Sequence, residues 1–170
     1  MVNVNLYGVI NGIHAVLPEM KNRNEGCIVN ISSLAGQVSM PYGALYSCTK
    51  FGVTAIGDAL NLELNKSKIH VCTVFPGMVH TELIAGISPP RFPKKIFPKD
   101  VADAVVKGIL KRKKKIYVPS SGVFFGKLPM LLPQFLINPL AAVSGANKIF
   151  KSVNNDDRHD YRNRIKISSN

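Results

Sequence analysis

The chain has 170 residues, with 22 lysines and arginines against 10 aspartates and glutamates. This length suits one domain and is enough to bury a core without a disulfide or metal to support it. Cys27, Cys48 and Cys72 each lie in an apolar stretch and form no CxxC pair, and the four histidines show no metal-ligand spacing. We therefore expect no metal site and no disulfide framework, and a reducing compartment.

The excess positive charge is concentrated between Arg91 and Lys115 and in the tail after Asp157. The run from Lys111 to Lys115 would suit an anionic membrane surface, although such a run at a helix end is more often a solvated face that complements the helix dipole. Nucleic acid is not expected as a partner. The first residues lack the basic and apolar segments of a signal peptide, which favours a cytoplasmic protein.

The apolar periodicity predicts alternating helices and strands. In chain order these are a helix over residues 4–20, a strand at Cys27–Ile31, a helix from Gly43 to about Lys66, a strand at Ile69–Phe75, a helix opening at Lys99 and a strand at Ile116–Pro119. Continuous apolar strands between amphipathic helices indicate an α/β fold, with a parallel sheet covered on both faces.

The composition changes after this alternating part. We expect residues 1–120 to form the catalytic part, residues 121–151 an apolar C-terminal extension and residues 152–170 a mobile polar tail. The stretch from Leu128 to Asn147 lacks charge, but Pro129, Pro133 and Pro139 interrupt it. A spanning helix is therefore not expected, whereas binding to a membrane surface remains open.

Tyr46 and Lys50 are the first candidate catalytic pair, since residues four apart lie on the same face of a helix. A phenol titrates near pH 10 in isolation, and a nearby ammonium would lower its pKa by stabilising the phenolate. A Tyr-x-x-x-Lys pair alone is also common as an exposed helix pair without a role. Its meaning depends on the residues around it.

Those surrounding residues resemble the short-chain dehydrogenase/reductase family. The segment Gly26–Gly36 is similar to the strand and serine loop of that family, and Ser33 lies thirteen residues before Tyr46, as in the family. The resemblance implies that Ser33 orients a substrate carbonyl. The segment Asn3–Gly8 resembles the helix motif that carries the fourth catalytic residue, which implies that Asn5 holds a water in a proton relay.

The segment Pro76–Thr81 resembles the Pro-Gly motif beside the nicotinamide of the same family. A Pro-Gly pair ends a strand sharply and lets the backbone approach a ligand at the carboxyl edge of a parallel sheet. The resemblance implies cofactor contacts from Pro76, Gly77, Val79 and Thr81, in addition to Tyr46 and Lys50. The cofactor would be NAD or NADP, and the sequence leaves the choice open.

The resemblance covers residues 1 to 119 and implies a Rossmann-like, doubly wound parallel sheet, present as an incomplete C-terminal part. It also implies hydride transfer between a nicotinamide and a carbonyl or secondary alcohol carbon. Tyr46 would give or take the proton of the oxygen, and Ser33 would hydrogen-bond the developing oxyanion. Nothing before Asn5 matches the glycine-rich loop that binds the pyrophosphate in the family.

We expect the sequence to be a fragment of a longer enzyme. The alternative is a truncated, inactive half-domain that acts as an interaction module or is a gene remnant. The apolar residues after Thr81 and in the C-terminal extension suggest a roof over the site and a small apolar carbonyl or alcohol as substrate. These residues could instead face a membrane or a dimer interface. We expect a homo-oligomer that forms through the helix bearing Tyr46.

Overall fold

The computed structural model describes residues 1–84 and 96–133, together with residues 135, 136 and 139. The helices are α1 (Gly8–Arg23), α2 (Ala44–Glu63), α3 (Pro98–Leu110) and α4 (Gly122–Leu131), and the strands are β1 (Glu25–Ile31), β2 (Lys68–Pro76) and β3 (Lys115–Val118). The predicted alternation and the α/β class are confirmed.

The three strands form one parallel sheet in the order β1-β2-β3. Ile31 lies opposite Val74 and Pro76 lies opposite Val118, so the carboxyl ends of the strands meet at one edge, here called the carboxyl edge. The opposite edge, where the strands begin, is called the amino edge. Parallel sheets of this kind bind ligands at the carboxyl edge.

Strand β2 is the centre of two apolar cores, because residues 69–76 are buried on both faces of the sheet. Helices α1 and α2 cover one face, where the core residues are Ile13, Ile28, Leu60, Leu64, Ile69 and Val71. Helix α3 covers the other face, where the core residues are Cys72, Val74, Ile96, Ile116 and Val118. This burial explains why β2 reads as a continuous apolar run.

Strand β1 pairs only with β2 among the described residues. Cys27 and Ile31 of β1 lie on the sheet face that α3 covers at β2. There the Cys27 side chain is exposed, and Ile31 is 46% exposed. The sheet is therefore covered on both faces along β2 and in part along β1, where Val29 packs against the core beneath α3. An open strand with unpaired backbone groups is a place where further chain can pair.

The first helical segment differs from the prediction at both ends. It begins with a π-helical turn over Asn3–Tyr7, and α1 continues through Pro18 to Arg23 before Asn24 ends it in the left-handed conformation, with φ of 51°. Proline removes only one backbone donor, and packing of Ile13 against the sheet maintains the helix around it.

The C-terminal extension is described only in part. Its first helix, α4, meets the loop after β1: a Cβ on Gly122 would lie 3.1 Å from Leu34, and one on Gly126 would lie 2.6 Å from Gln37. The expected mobile tail at 152–170 lies outside the described residues, as do most of the residues expected to roof the site. Within the described part, no helix has the length and apolarity needed to cross a membrane.

Candidate active site

The serine loop leaves the carboxyl edge directly after β1. The backbone N–H of Ser32 donates to Val74 O at 2.9 Å, which continues the ladder by one residue. Ser33 then caps a short 3-10 turn at Leu34–Gly36, and its Oγ accepts from the N–H of Ala35 at 3.1 Å. This cap fixes the half-buried Ser33 side chain at the carboxyl edge.

A hydroxyl network ties the serine loop to α2. Ser32 Oγ donates to Lys50 O at 2.9 Å and lies 2.9 Å from Thr54 Oγ1. Thr54 Oγ1 lies 3.1 Å from Gly36 O and 3.0 Å from Lys50 O, both of which it can donate to. The backbone carbonyl of Lys50 thus lies beside hydroxyls from both elements, so the loop and the helix are held in one arrangement.

Tyr46 lies in the first turn of α2 and faces the serine loop. The Ser33 side chain lies near its phenol. Burial raises the pKa of the Tyr46 phenol above its usual value, and the neighbouring Ser33 side chain opposes that rise. The pair therefore meets as the sequence predicts, but in this arrangement the phenol is harder to ionise than a free tyrosine.

Lys50 lies one helical turn after Tyr46. Its ammonium donates to Ile31 O at 3.0 Å and lies 5.9 Å from the centre of the Tyr46 ring. Burial lowers the pKa of Lys50. Burial is the largest effect on the pKa of Tyr46, and the expected lowering of this pKa by the Lys50 ammonium stays a prediction.

Asn5 lies in the π-helical turn that precedes α1, and such turns often occur at functional sites. Its Nδ2 donates to Thr49 Oγ1 at 3.3 Å, and Thr49 Oγ1 donates to Tyr46 O at 2.8 Å. Thr49 is therefore the link between Asn5 and the turn of α2 that carries Tyr46. The structure brings Asn5 beside α2 through a residue that the sequence analysis missed.

The Pro-Gly loop follows β2 at the same edge. Gly77 N donates to Val118 O at 2.7 Å, and Val79 forms a parallel bridge with Ile96. Thr81 Oγ1 donates weakly to Val79 O at 3.4 Å, and its side chain is exposed. Pro76, Gly77, Val79 and Thr81 thus lie at the carboxyl edge beside the serine loop, as their assignment to a cofactor site requires.

Three residues of this site were not singled out from sequence: Ser32, Thr49 and Thr54. Thr54 follows Tyr46 and Lys50 at the same four-residue spacing. Residues at this spacing share one face of a helix, so the sequence could have predicted that Thr54 lies beside the other two. Nothing in the sequence marks Thr49, because its partner Asn5 is 44 residues away. Within the described part of the chain, no group of histidine, cysteine or carboxylate side chains could hold a metal.

The comparisons with known proteins identify the family. The family model described as short chain dehydrogenase matches residues 1–91, which is more than half of the chain. The chain therefore belongs to the short-chain dehydrogenase family. The predicted resemblance is confirmed, and the assignment of its motifs to catalytic roles remains a prediction.

Relatives with curated descriptions match the chain over part of their length. An uncharacterized oxidoreductase of Staphylococcus saprophyticus is 40% identical over 106 residues, which are 62% of this chain and 45% of that protein. A 3-ketodihydrosphingosine reductase of Bacteroides thetaiotaomicron is 44% identical over 80 residues, 47% of this chain and 30% of the relative. The chain thus spans less than half of either relative.

Solved structures give the same fold. A short-chain dehydrogenase from Sphingobium yanoikuyae in complex with NADPH superposes with a TM-score of 0.66 and 27% identity, over 84% of this chain and 55% of that one. The described elements therefore correspond to part of a larger Rossmann-like sheet.

Proposed function

We propose that this chain carries the catalytic part of an NAD(P)-dependent oxidoreductase that interconverts a carbonyl and a secondary alcohol. The observation that carries the proposal is the meeting of Ser33, Tyr46 and Lys50 at the carboxyl edge. The family membership and the NADPH complex of the Sphingobium relative support it. The test is carbonyl-dependent oxidation of NADH or NADPH.

The described residues fit the nicotinamide end of such a cofactor. The ammonium of Lys50 has three N–H donors, and one of them bonds Ile31 O. The other two can donate to a ribose hydroxyl. The exposed hydroxyl of Thr81 lies at the same edge. No glycine-rich phosphate loop is present among the described residues.

Each residue would have a distinct role in the reaction. A bound nicotinamide would supply or accept the hydride. Tyr46 would give its proton to the carbonyl oxygen on reduction and take it back on oxidation. Ser33, which lies near the phenol, would hydrogen-bond the same oxygen as negative charge develops on it. The contact with Thr49 holds Asn5 beside the first turn of α2, where Asn5 would position a water.

Replacing Ser33 with Ala should raise the pKa of Tyr46 further, because the hydroxyl that opposes the effect of burial is lost. Lys50→Met should change this pKa less, since the ammonium is bonded to Ile31 O. A higher phenol pKa means that tyrosinate forms only at higher pH, so alcohol oxidation should move to higher pH in Ser33→Ala.

Carbon-13 NMR of labelled tyrosine measures the pKa of Tyr46 in Ser33→Ala and in Lys50→Met. The Tyr46 signal is identified by its loss in Tyr46→Phe. A larger change in Lys50→Met than in Ser33→Ala would contradict the structural assignment. Such a result would mean that the Lys50 ammonium has the larger effect on the pKa of Tyr46, as the sequence analysis expected.

An apolar substrate and a membrane contact are part of the same proposal. Helix α4 exposes Phe124 and Leu128, which are 70% and 45% exposed and one turn apart, and Phe135 beyond it is 73% exposed. The relative that reduces 3-ketodihydrosphingosine, judged by its name, supports an apolar carbonyl as the substrate class. The basic run from Lys111 to Lys115 would add attraction to anionic lipid.

Phe124→Ser is expected to reduce co-sedimentation of the chain with anionic liposomes by about threefold to tenfold, because a phenyl ring leaves the apolar interface. Leu62→Ser is the matched control, since Leu62 is 73% exposed but lies on α2. Absence of binding by the unmodified chain, or equal loss in both variants, would remove the membrane from the proposal.

A homo-oligomer through α2 also belongs to this proposal. Leu45, next to Tyr46, is 54% exposed, and Val4 and Tyr7 at the start of the chain are 76% and 55% exposed. The turn that carries Val4 and Tyr7 packs against α2, so these side chains offer apolar surface beside the site. A second copy covering this surface is consistent with the exposure.

The second candidate function is a non-enzymatic half-domain that pairs with another chain. The observation in its favour is the open edge of β1, with Cys27 and Ile31 exposed. Carbonyl-dependent turnover by a chain extended with a cofactor-binding segment would decide for the enzyme. A stable complex of the unextended chain with a partner strand, without turnover in the extended chain, would decide for the half-domain.

A further inference from the structure

The amino edge of the sheet, opposite to the candidate active site, carries a small polar cavity. The cavity has a volume of about 120 Å³ and lies where the end of α2, the start of β2 and the turn between α3 and β3 meet. We call it the basal cavity. Its polar lining includes Asn65, Ser67, His70, Arg112 and Lys114. His70 and Arg112 also line a wider open cleft next to it.

The basal cavity has positive charge and no acidic side chain in its lining. Arg112 and Lys114 both come from the α3–β3 turn. Arg112 Nη2 donates to Lys68 O at 3.2 Å, which holds the guanidinium across the start of β2. The guanidinium has further N–H donors that this single bond does not use.

His70 supplies an independent indication that a ligand is expected here. The residue is only 7% exposed, and its Nε2 is buried without a hydrogen-bond partner among the described residues. A buried polar atom without a partner costs free energy, so native structures usually satisfy such atoms. Both nitrogens of a protonated imidazole donate, so an oxyanion that reaches Nε2 and binds the imidazolium would remove this cost.

We propose that the basal cavity binds an oxyanion of the phosphate or sulfate class, held by Arg112, Lys114 and His70. A cavity of about 120 Å³ has room for a tetrahedral oxyanion. Arginine and lysine are the side chains that bind such groups most strongly. The oxyanion is either free or the phosphate group of a monoester whose remainder extends into the adjacent cleft.

This site is separate from the proposed catalytic site. His70 lies six residues before Pro76 on β2, a distance of about 20 Å at the rise of a parallel strand. Binding at the amino edge therefore does not depend on the nicotinamide site. Failure of either proposal leaves the other standing.

The charged groups around His70 give the site a defined pH dependence. They are Arg23 from α1, Glu25 and Cys27 from β1, Lys68 from β2, and Arg112 and Lys114 from the α3–β3 turn, while α2 adds only the neutral Asn61 and Asn65. Burial and the two nearest cations, Arg112 and Lys114, lower the pKa of His70 despite a bond to the backbone of Lys113. An anion would favour the protonated imidazole, so its affinity should rise as the pH falls.

The first test is calorimetric titration of the full chain with sodium sulfate at constant ionic strength, since sulfate keeps its charge between about pH 5.5 and 7.5. Lys114→Ala should weaken binding by about tenfold, because a charge-assisted hydrogen bond is lost. Lys111→Ala removes the same charge from the same exposed run but does not line the cavity, and should change the affinity less than about twofold. Circular dichroism checks that both variants remain folded.

Two further arms complete the test. His70→Gln should abolish the tightening of sulfate binding at lower pH. Inorganic phosphate and phosphoserine, titrated in parallel, distinguish a free oxyanion from a monoester, since only a monoester can gain contacts in the adjacent cleft. Absence of saturable binding, or equal weakening in Lys111→Ala and Lys114→Ala, would overturn the proposal, because general screening of the basic run would then account for the effect.

Discussion

Tyr46→Phe should lower kcat/KM for carbonyl-dependent NAD(P)H oxidation by about 10²- to 10⁴-fold, the usual contribution of a positioned general acid. Phenylalanine keeps the half-buried ring and removes only the hydroxyl near Ser33. The fold should therefore be unchanged. The proton of the substrate oxygen would then have to come from solvent.

The assay requires the chain joined to the cofactor-binding half of a family member, because the described residues contain no phosphate loop. Tyr42→Phe is the matched control: Tyr42 lies in the turn before α2 and is 70% exposed, so its variant should keep full activity. Turnover that survives in Tyr46→Phe, or that falls equally in both variants, would refute the proposed role of Tyr46.

Gly36→Ala should both destabilise the chain and impair catalysis. A Cβ at Gly36 would lie 2.6 Å from the backbone oxygen of Lys50 and would also collide with Ser32 Oγ. The serine loop would have to move away from α2, which breaks the bonds of Ser32 and Thr54. We expect a loss of about 1–3 kcal/mol in the free energy of unfolding, and a loss of about 10²-fold in kcat/KM from the shift of Ser33.

Urea denaturation measures the first effect and the carbonyl assay measures the second. Gly12→Ala is the control, because a Cβ at Gly12 would meet nothing within 4 Å on the exposed side of α1. That variant should be stabilised by about 0.5–1 kcal/mol and keep its activity. A Gly36→Ala chain as stable and active as Gly12→Ala would show that the serine loop is not held against α2.

The sequence predicted the strands better than the ends of the helices. The apolar run Ile69–Phe75 was placed within one residue of β2 at each end, because a strand buried on both faces must be apolar throughout. The end of the first helix was placed too early, at residue 20, because Pro18 and the asparagines that follow it favour a turn. Packing of α1 against β1 and β2 outweighed that local preference, and Asn24 ended the helix instead.

The sequence by itself determined the alternation of helices and strands, because periodicity is a local property of the chain. The family resemblance of its motifs added the candidate site residues Asn5, Ser33, Tyr46 and Lys50. Only the tertiary structure decided how these residues interact. Contacts between distant segments link Ser33 to Tyr46, Lys50 to Ile31 O and Asn5 to Thr49. The basal cavity likewise exists only where α2, β2 and the α3–β3 turn meet, since no single segment contains its lining.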